Sequence, residues 1–300
     1  MHSAFIIHMR NSIKKILVFI LLLIFSGFCY AQNSCMPEDQ WFTPKTGDIT
    51  PFKDYISHIP TQGFILLGEH HENLAHHQWQ LNVLNAMHKK QPNMAIGLEM
   101  FPQYLQDVLD EWVNKKIDKE TFIQRSQWDE IWAYDFNHYL PLFEFARDKK
   151  IPLIAINIQK ALLKMSRDVG WKNIPVDHRQ GITDPAKPSK NYLRQLAVSF
   201  RRHFEPNTKI DKQAFSRFVE QQLLWDRAMA QGLARNKTDY PLIVGILGSW
   251  HIINGFGVPH QLRDLGQNNI VSFVPWDEHL DCESISDQFA DAIFGSAIQQ

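Results

Sequence analysis

Two short stretches hold the residues best suited to chemistry. Gly68-Glu69-His70-His71 follows the apolar run Phe64-Ile65-Leu66-Leu67, and Gly248-Ser249-Trp250-His251 follows Leu242-Ile243-Val244-Gly245-Ile246-Leu247. Unbroken apolar runs of this kind read as strands buried on both faces of a parallel sheet. Each imidazole therefore falls just past a strand end, in the same Gly-x-x-His context. Two further runs, Met94 to Met100 and Pro152 to Asn157, place Glu99 and Asn157 at comparable positions. Ligands of open parallel sheets sit beyond the carboxyl ends of the strands, so these groups are expected to face one crevice.

Imidazole and carboxylate together suit zinc, manganese, iron or cobalt, with a coordination position left for water or substrate. The metal set read from the strand ends is His71, His251, Glu69 and Glu99. A metal held there would supply a hydroxide nucleophile near neutral pH, and Glu69 and Glu99 would be the catalytic carboxylates of a hydrolase. The spacings form no tight ligand motif. Glu69 has a second reading as a charge at the start of the next helix, whereas burial of an unpaired Glu99 would be costly and favours a functional role. Leu74, His77, Leu81, Leu84 and His88 recur at helical spacing, which makes His77 a core histidine. His70 and His76 read as surface residues.

A second concentration of chemistry lies at residues 128 to 139, where Trp128, Trp132, Tyr134, Phe136 and Tyr139 fall just before a helix expected from Pro141. Aromatics bury large areas anywhere, but a connection crossing the crevice would also wall a flat macrocycle. Tyrosine and histidine both ligate haem iron. Arg201, Arg202 and His203 could pair with propionates, or form a solvated helix face.

The elements that must position these groups alternate strand, helix, strand, helix, strand, which argues for right-handed crossovers and a mainly parallel sheet flanked by helices. Residues 171 to 189, with three prolines and one glycine, read as a long surface loop. Helices over 190 to 203 and 212 to 235 follow. The span of about 171 to 238 is thus a helical insertion before the fourth strand, placed as a cap over the site. A helix over 259 to 265 and a fifth strand over 269 to 274 complete an α/β chain.

At the N-terminus, Arg10, Lys14 and Lys15 precede the apolar run Ile16 to Phe25, and Cys29-Tyr30-Ala31 precedes Gln32. This pattern predicts a signal peptide over residues 1 to 31, with Met9 an equally good start, and a single α/β domain over 32 to 300. The product is then exported, in the periplasm or associated with the outer membrane. Phe28 before Cys29 and Gln32 three places before Cys35 make poor lipoprotein signals. Of three cysteines, Cys35 and Cys282 survive cleavage and form either one bridge or two free thiols. A net charge of -1 carries no basic excess of the kind that binds nucleic acid.

Several of these stretches, taken in order, resemble the ChaN-like haem-binding family. They are Leu67 to Asn73 with His76-His77, Gly97 to Phe101, Tyr139 to Leu142 with Phe145-Ala146-Arg147, and Ile156-Asn157. Gln222 with Trp225-Asp226 and Met229-Ala230, then Gly248 to His251 with Gly257-Val258-Pro259, complete the set. The paired Gly-x-x-His motifs are also similar to the TraB/Tiki and erythromycin esterase proteins, which include metal-dependent proteases and hydrolases. The resemblance implies an iron-regulated, haem-binding envelope protein, lipid-anchored in some forms, that dimerises around stacked haems and serves an outer-membrane or haem-uptake partner. Trp250 departs from the smaller residue more usual there, and would narrow or wall the pocket. Haem binding is the leading expectation, with Tyr139 the first axial ligand, His71 and His251 the alternatives and Trp250 a wall. A metal-dependent esterase or peptidase is the competing one.

Overall fold

The structure, a computed structural model, describes residues 36–202, 209, 211–276 and 285–296. The signal segment, Cys35, Cys282 and His203 lie outside the described residues, so the export and disulfide expectations are not addressed by it. Eight strands form one sheet: β1 (Gln40–Thr43), β2 (Asp48–Pro51), β3 (Gly63–Glu69), β4 (Met94–Pro102), β5 (Leu153–Asn157), β6 (Leu242–Gly248), β7 (Ile270–Pro275) and β8 (Ala292–Phe294). Their order is β2-β1-β8-β7-β3-β6-β4-β5. The pairings from β8 through β5 are parallel, and β1 is antiparallel to both β2 and β8. The five strands expected from apolar runs are all present. The short β1, β2 and β8 have no such run and were not legible.

Helices cover both faces. In chain order they are α1 (Phe52–His58), α2 (Leu74–Lys90), α3 (Gln106–Val113), α4 (Lys119–Arg125), α5 (Trp128–Ile131), α6 (Phe136–Lys149), α7 (Lys160–Val169), α8 (Lys190–Arg201), α9 (Lys212–Arg235) and α10 (Val258–Asp264). Alternation along each strand assigns the faces. Ile65 and Leu67 of β3 share the larger core with Leu98 and Met100 of β4, Trp79, Val83 and Met87 of α2, and Tyr139 and Phe143 of α6. On the opposite face, Gly97 and Gly245 leave room for Leu233 of α9, and Gly232 lets that helix approach the backbone of β5 at Ile156. The edge strand β5 is protected by one side chain. The Gln106 amide donates to Leu153 O at 2.7 Å and accepts from Ala155 N at 2.9 Å, standing in for a neighbouring strand.

Four local expectations change. The apolar stripe of α2 is rotated: Trp79, Val83, Leu84 and Met87 are buried while Leu74 is 50% exposed, because the two large side chains Trp79 and Met87 fill the space over the sheet. The helix carrying Tyr139 starts at Phe136, capped by the Asp135 side chain accepting from Asn137 N at 2.8 Å, and Pro141 lies inside it. Residues 171 to 189 do not form a free surface loop, since Trp171, Ile174 and Ile182 are buried against Leu224 and Ala228 of α9. The second helix of the inserted segment lies on the sheet instead of standing over the site, and its residues 226 to 233 are buried.

A Cβ at Gly232 would lie 2.8 Å from Ile156 Cα, a backbone atom that cannot step aside. Gly232→Ala is therefore expected to destabilise the protein by about 1–3 kcal/mol despite the better helix propensity of alanine. Denaturant unfolding monitored by far-UV circular dichroism measures this directly.

Candidate functional site

Glu69 ends β3 on the α2 and α6 face and is 2% exposed. A carboxylate so enclosed needs donors, and three side chains supply them. Tyr139 OH of α6 donates to Oε1 at 2.6 Å, Gln80 Nε2 of α2 donates to Oε2 at 2.9 Å, and His71 Nδ1 lies 2.8 Å from Oε1. His77 Nε2 stands 3.6 Å from Oε2. Burial opposes the charge on Glu69, but hydrogen bonds from His71 and His77 outweigh it and hold the carboxyl well below the usual range. Burial and the Glu69 charge push the Tyr139 phenol far above its ordinary value, so it remains a donor.

His71 leaves this cluster with Nδ1 fixed and passes across the sheet end. A Cβ at Gly248 would meet its Cε1 at 3.1 Å and Nε2 at 3.3 Å, so the glycine is what lets the ring lie against β6. Trp132 and Tyr134 flank it, with ring centroids 4.5 and 5.1 Å away. Its side chain is 24% exposed. Burial lowers its proton affinity, yet the bond to Glu69 and the charge of Glu99 raise it above the ordinary value.

From the opposite face comes a second carboxylate and imidazole. Asp226 of α9, fully buried, faces His251 Nδ1 at 2.6 Å through Oδ1 and accepts from Tyr192 OH of α8 at 2.5 Å through Oδ2. The other nitrogen, Nε2, is 3.4 Å from Glu99 Oε1, while Glu99 Oε2 accepts from Gly248 N at 2.6 Å. Glu99 lies on the α9 face of β4, as Gly97 does, so the two strand-end glutamates belong to opposite faces. They meet only because both reach past the carboxyl edge. Asn157 is a local brace: its Nδ2 donates to Glu99 O at 2.5 Å and its Oδ1 accepts from Ile158 N at 2.7 Å.

Of the expected residues, Glu69, His71, Glu99 and His251 come together at this edge. They form two acid–imidazole pairs with Glu99 between them, and among the described residues no three His, Cys, Asp or Glu side chains are arranged to hold a metal ion. Tyr139, the first axial ligand expected, has no exposed surface in this structure, and its hydroxyl donates to Glu69. His76 is buried, not a surface residue, its Nδ1 accepting from His70 N at 3.0 Å. The aromatic stretch divides: Trp128, Phe136 and Tyr139 are core, and Trp132 and Tyr134 wall His71. Asp226 and Tyr192 had no assigned role. The signal was available, because Asp226 is the one acid among Leu223, Leu224, Ala228, Met229 and Ala230 on an apolar helix face.

Burial alone would lower the pKa of His251, but the charge of Glu99 and the bond to Asp226 lift it to about 9 from 6.5. A raised imidazole contributes stability that is complete below the unfolded value and disappears as pH rises through the folded one. Unfolding free energy should therefore fall between pH 6.5 and 9 by up to about 3 kcal/mol more than in His251→Gln. Urea titrations of both proteins across that window test it, and parallel profiles would contradict the pairing.

The chain as a whole is matched in known proteins. The family model described as haem-binding uptake, Tiki superfamily, ChaN aligns with residues 55–262. In overall fold the chain is similar to ChaN of Campylobacter jejuni, solved with cofacial haem bound, at 20% identity and a TM-score of 0.69, covering 86% of this chain and 98% of that one. It is more distantly similar to the erythromycin esterase EreC in its open conformation, at 11% identity and a TM-score of 0.44, over 78% of this chain and 76% of that one. No curated protein matches the chain at a significant level. The family match spans both strand-end glutamates, both histidine motifs and the helices that brace them, and the chain belongs to the haem-binding uptake, Tiki superfamily, ChaN family.

Proposed function

We propose that this chain is an exported haem-binding protein that handles iron or haem, with His71 as the residue that meets the iron. The observation that carries the reading is the state of His71. Its Nδ1 is fixed by a buried carboxylate, its other nitrogen has no hydrogen-bond partner among the described residues, and its ring is partly exposed between Trp132 and Tyr134. Carboxylates that hold the far nitrogen of a ligating histidine fix its tautomer and strengthen it as a ligand, and indole and phenol rings suit an apolar macrocycle. His251 is a poorer ligand, because Asp226 and Glu99 face its two nitrogens and its side chain is only 12% exposed. Bound haem would supply iron, which His71 would hold. The chain's own work is to orient that imidazole through the bond from its Nδ1 to Glu69.

The family name and the fold shared with ChaN support haem as the ligand. Export is read from the basic and apolar pattern of residues 10 to 31, and the mature domain, 32 to 300, would act in the periplasm or at the outer membrane. There it would serve haem acquisition, as a homodimer or with an uptake partner. Titration of the apoprotein with hemin should give a shifted Soret band that His71→Ala abolishes. Tyr139→Phe should keep the band position while losing about 1–3 kcal/mol of stability, since Glu69 forfeits a buried donor. An unchanged band in His71→Ala would remove His71 from the iron.

A second reading, hydrolysis of an ester or peptide, is favoured by one observation. Glu99 faces His251 Nε2 and the Gly248 amide, an arrangement that haem ligation by His71 does not use. If the site is hydrolytic, model esters should turn over, with or without added divalent metal, and Glu99→Gln should lower the rate at least 100-fold, as loss of a general acid or base does. Equal rates in the two proteins would discard this reading.

A further inference from the structure

Past Trp250, which is 42% exposed beside His251, the chain makes a tight turn before α10. Asn254, Gly255 and Gly257 all take positive φ, of 59°, 64° and 60°. Asparagine is among the few side chains at ease in that conformation. Asn254 N donates to Phe289 O at 2.8 Å and Arg263 Nη1 donates to Gly255 O at 3.1 Å, so the turn is fastened on two sides. Two clefts of about 660 and 360 Å³ open along it, and they share Asn254, Phe256, Asp287 and Gln288. Together they make one groove between α8, the turn and the segment leading into β8.

The lining of this groove is rich in amides and balanced in charge. Asn191 and Gln195 of α8, with Asn254 and Gln288, supply four carboxamides, each able to donate and to accept. Arg194 and Arg263 are matched by Asp287 and Asp291, which favours neither a polyanion nor a polycation. Gln195 Oε1 accepts from Asn254 Nδ2 at 2.8 Å, and Asn191 Oδ1 accepts from Arg194 Nη1 at 2.7 Å. The amide hydrogens of Gln195 and Asn191 stay without partners among the described residues. Phe256 stacks on Tyr192, with centroids 5.2 Å apart and planes 25° from parallel, and its remaining surface lines both clefts.

Fixed amides beside an aromatic surface suit a molecule dense in hydroxyls. A hydroxyl donates and accepts as a carboxamide does, and a sugar ring presents C–H groups to an aromatic face. An extended peptide would instead need an unpaired strand edge, and among the described residues none borders the groove. Where it touches β7, Ser272 N donates to the Asp291 carboxylate at 2.7 Å and Ser272 O accepts from Asp291 N at 2.9 Å.

We propose that this groove binds a short neutral oligosaccharide, with Phe256 against a sugar ring and the amides of Gln195, Asn254 and Gln288 taking its hydroxyls. The inference goes beyond the haem reading and uses none of the residues assigned to haem. Isothermal titration calorimetry of the full chain with chitotriose, cellotriose and maltotriose provides the test. At least one should bind saturably, with a Kd of about 1 mM or tighter. Phe256→Ala should weaken that binding about tenfold, as loss of an aromatic anchor does. Gln288→Ala and Asn254→Gly should each weaken it about threefold or more through lost hydrogen bonds, glycine keeping the positive φ while removing the amide. Gln288 is exposed, so its variant is expected to fold, and unchanged far-UV circular dichroism checks this. No saturable binding of any of the three sugars, or wild-type affinity in both Gln288→Ala and Asn254→Gly, would overturn the proposal. Binding of tetra-alanine at these residues in place of the sugars would also overturn it, by assigning the groove to a peptide. A Soret shift with hemin has no bearing on these outcomes, so failure of one reading is distinct from failure of the other.

Discussion

A single buried charge organises the site. Glu69 ends the central strand β3 where water is excluded, and it stays ionised only because Tyr139, Gln80 and His71 surround its oxygens, with His77 close by. Breaking such an arrangement strands a charge in the interior, which is far more costly than losing one ordinary contact. The consequence is geometric. α2 must present Gln80 and His77, α6 must present Tyr139, and the segment after β3 must bring His71 back across the strand ends. The aromatic core of Phe101, Trp112, Phe122, Trp128, Phe136 and Phe143 then fixes α6 where the phenol is needed.

The other face repeats the solution with different parts. Asp226 sits in the enclosed stretch of α9, and Tyr192 and His251 answer it as Tyr139 and His71 answer Glu69. In both clusters a tyrosine hydroxyl and an imidazole Nδ1 face one carboxylate. Close approach of α9 to the sheet, made possible by Gly232 and Gly97, delivers Asp226 to the strand ends. Glu99 joins the two halves through Gly248 N and His251. The sheet edge thus carries two oriented imidazoles, one fully engaged and one partly open. That asymmetry leaves His71 the more open imidazole and His251 the more enclosed one.

The aromatic stretch shows how the same residue types serve different ends. Trp128 turns its Nε1 to Tyr134 O at 2.6 Å and is buried. This bond folds the segment so that Trp132 and Tyr134 stay near His71 while Phe136 and Tyr139 enter the core. The wall around the imidazole is therefore continuous with the packing that holds Glu69.

Periodicity and strand-end composition made the frame legible. The apolar runs ending at Glu69, Glu99, Asn157 and Gly248 specify parallel strands because no polar residue interrupts them, and the two Gly-x-x-His segments mark the edge where chemistry gathers. Tertiary structure decided the rest, for reasons local spacing cannot encode. Whether Tyr139 is a ligand or a brace depends on how far α6 is buried, which follows from packing against α2 and the sheet. Asp226 becomes a partner of His251 only when a helix 25 residues earlier in the chain docks through Gly232. The rotation of α2 was likewise set by Trp79 and Met87 filling the core, not by the apparent stripe. The sequence by itself determined which residues end the strands. Only the folded chain decided which of their polar atoms remain free to act, because that depends on partners brought together from distant segments.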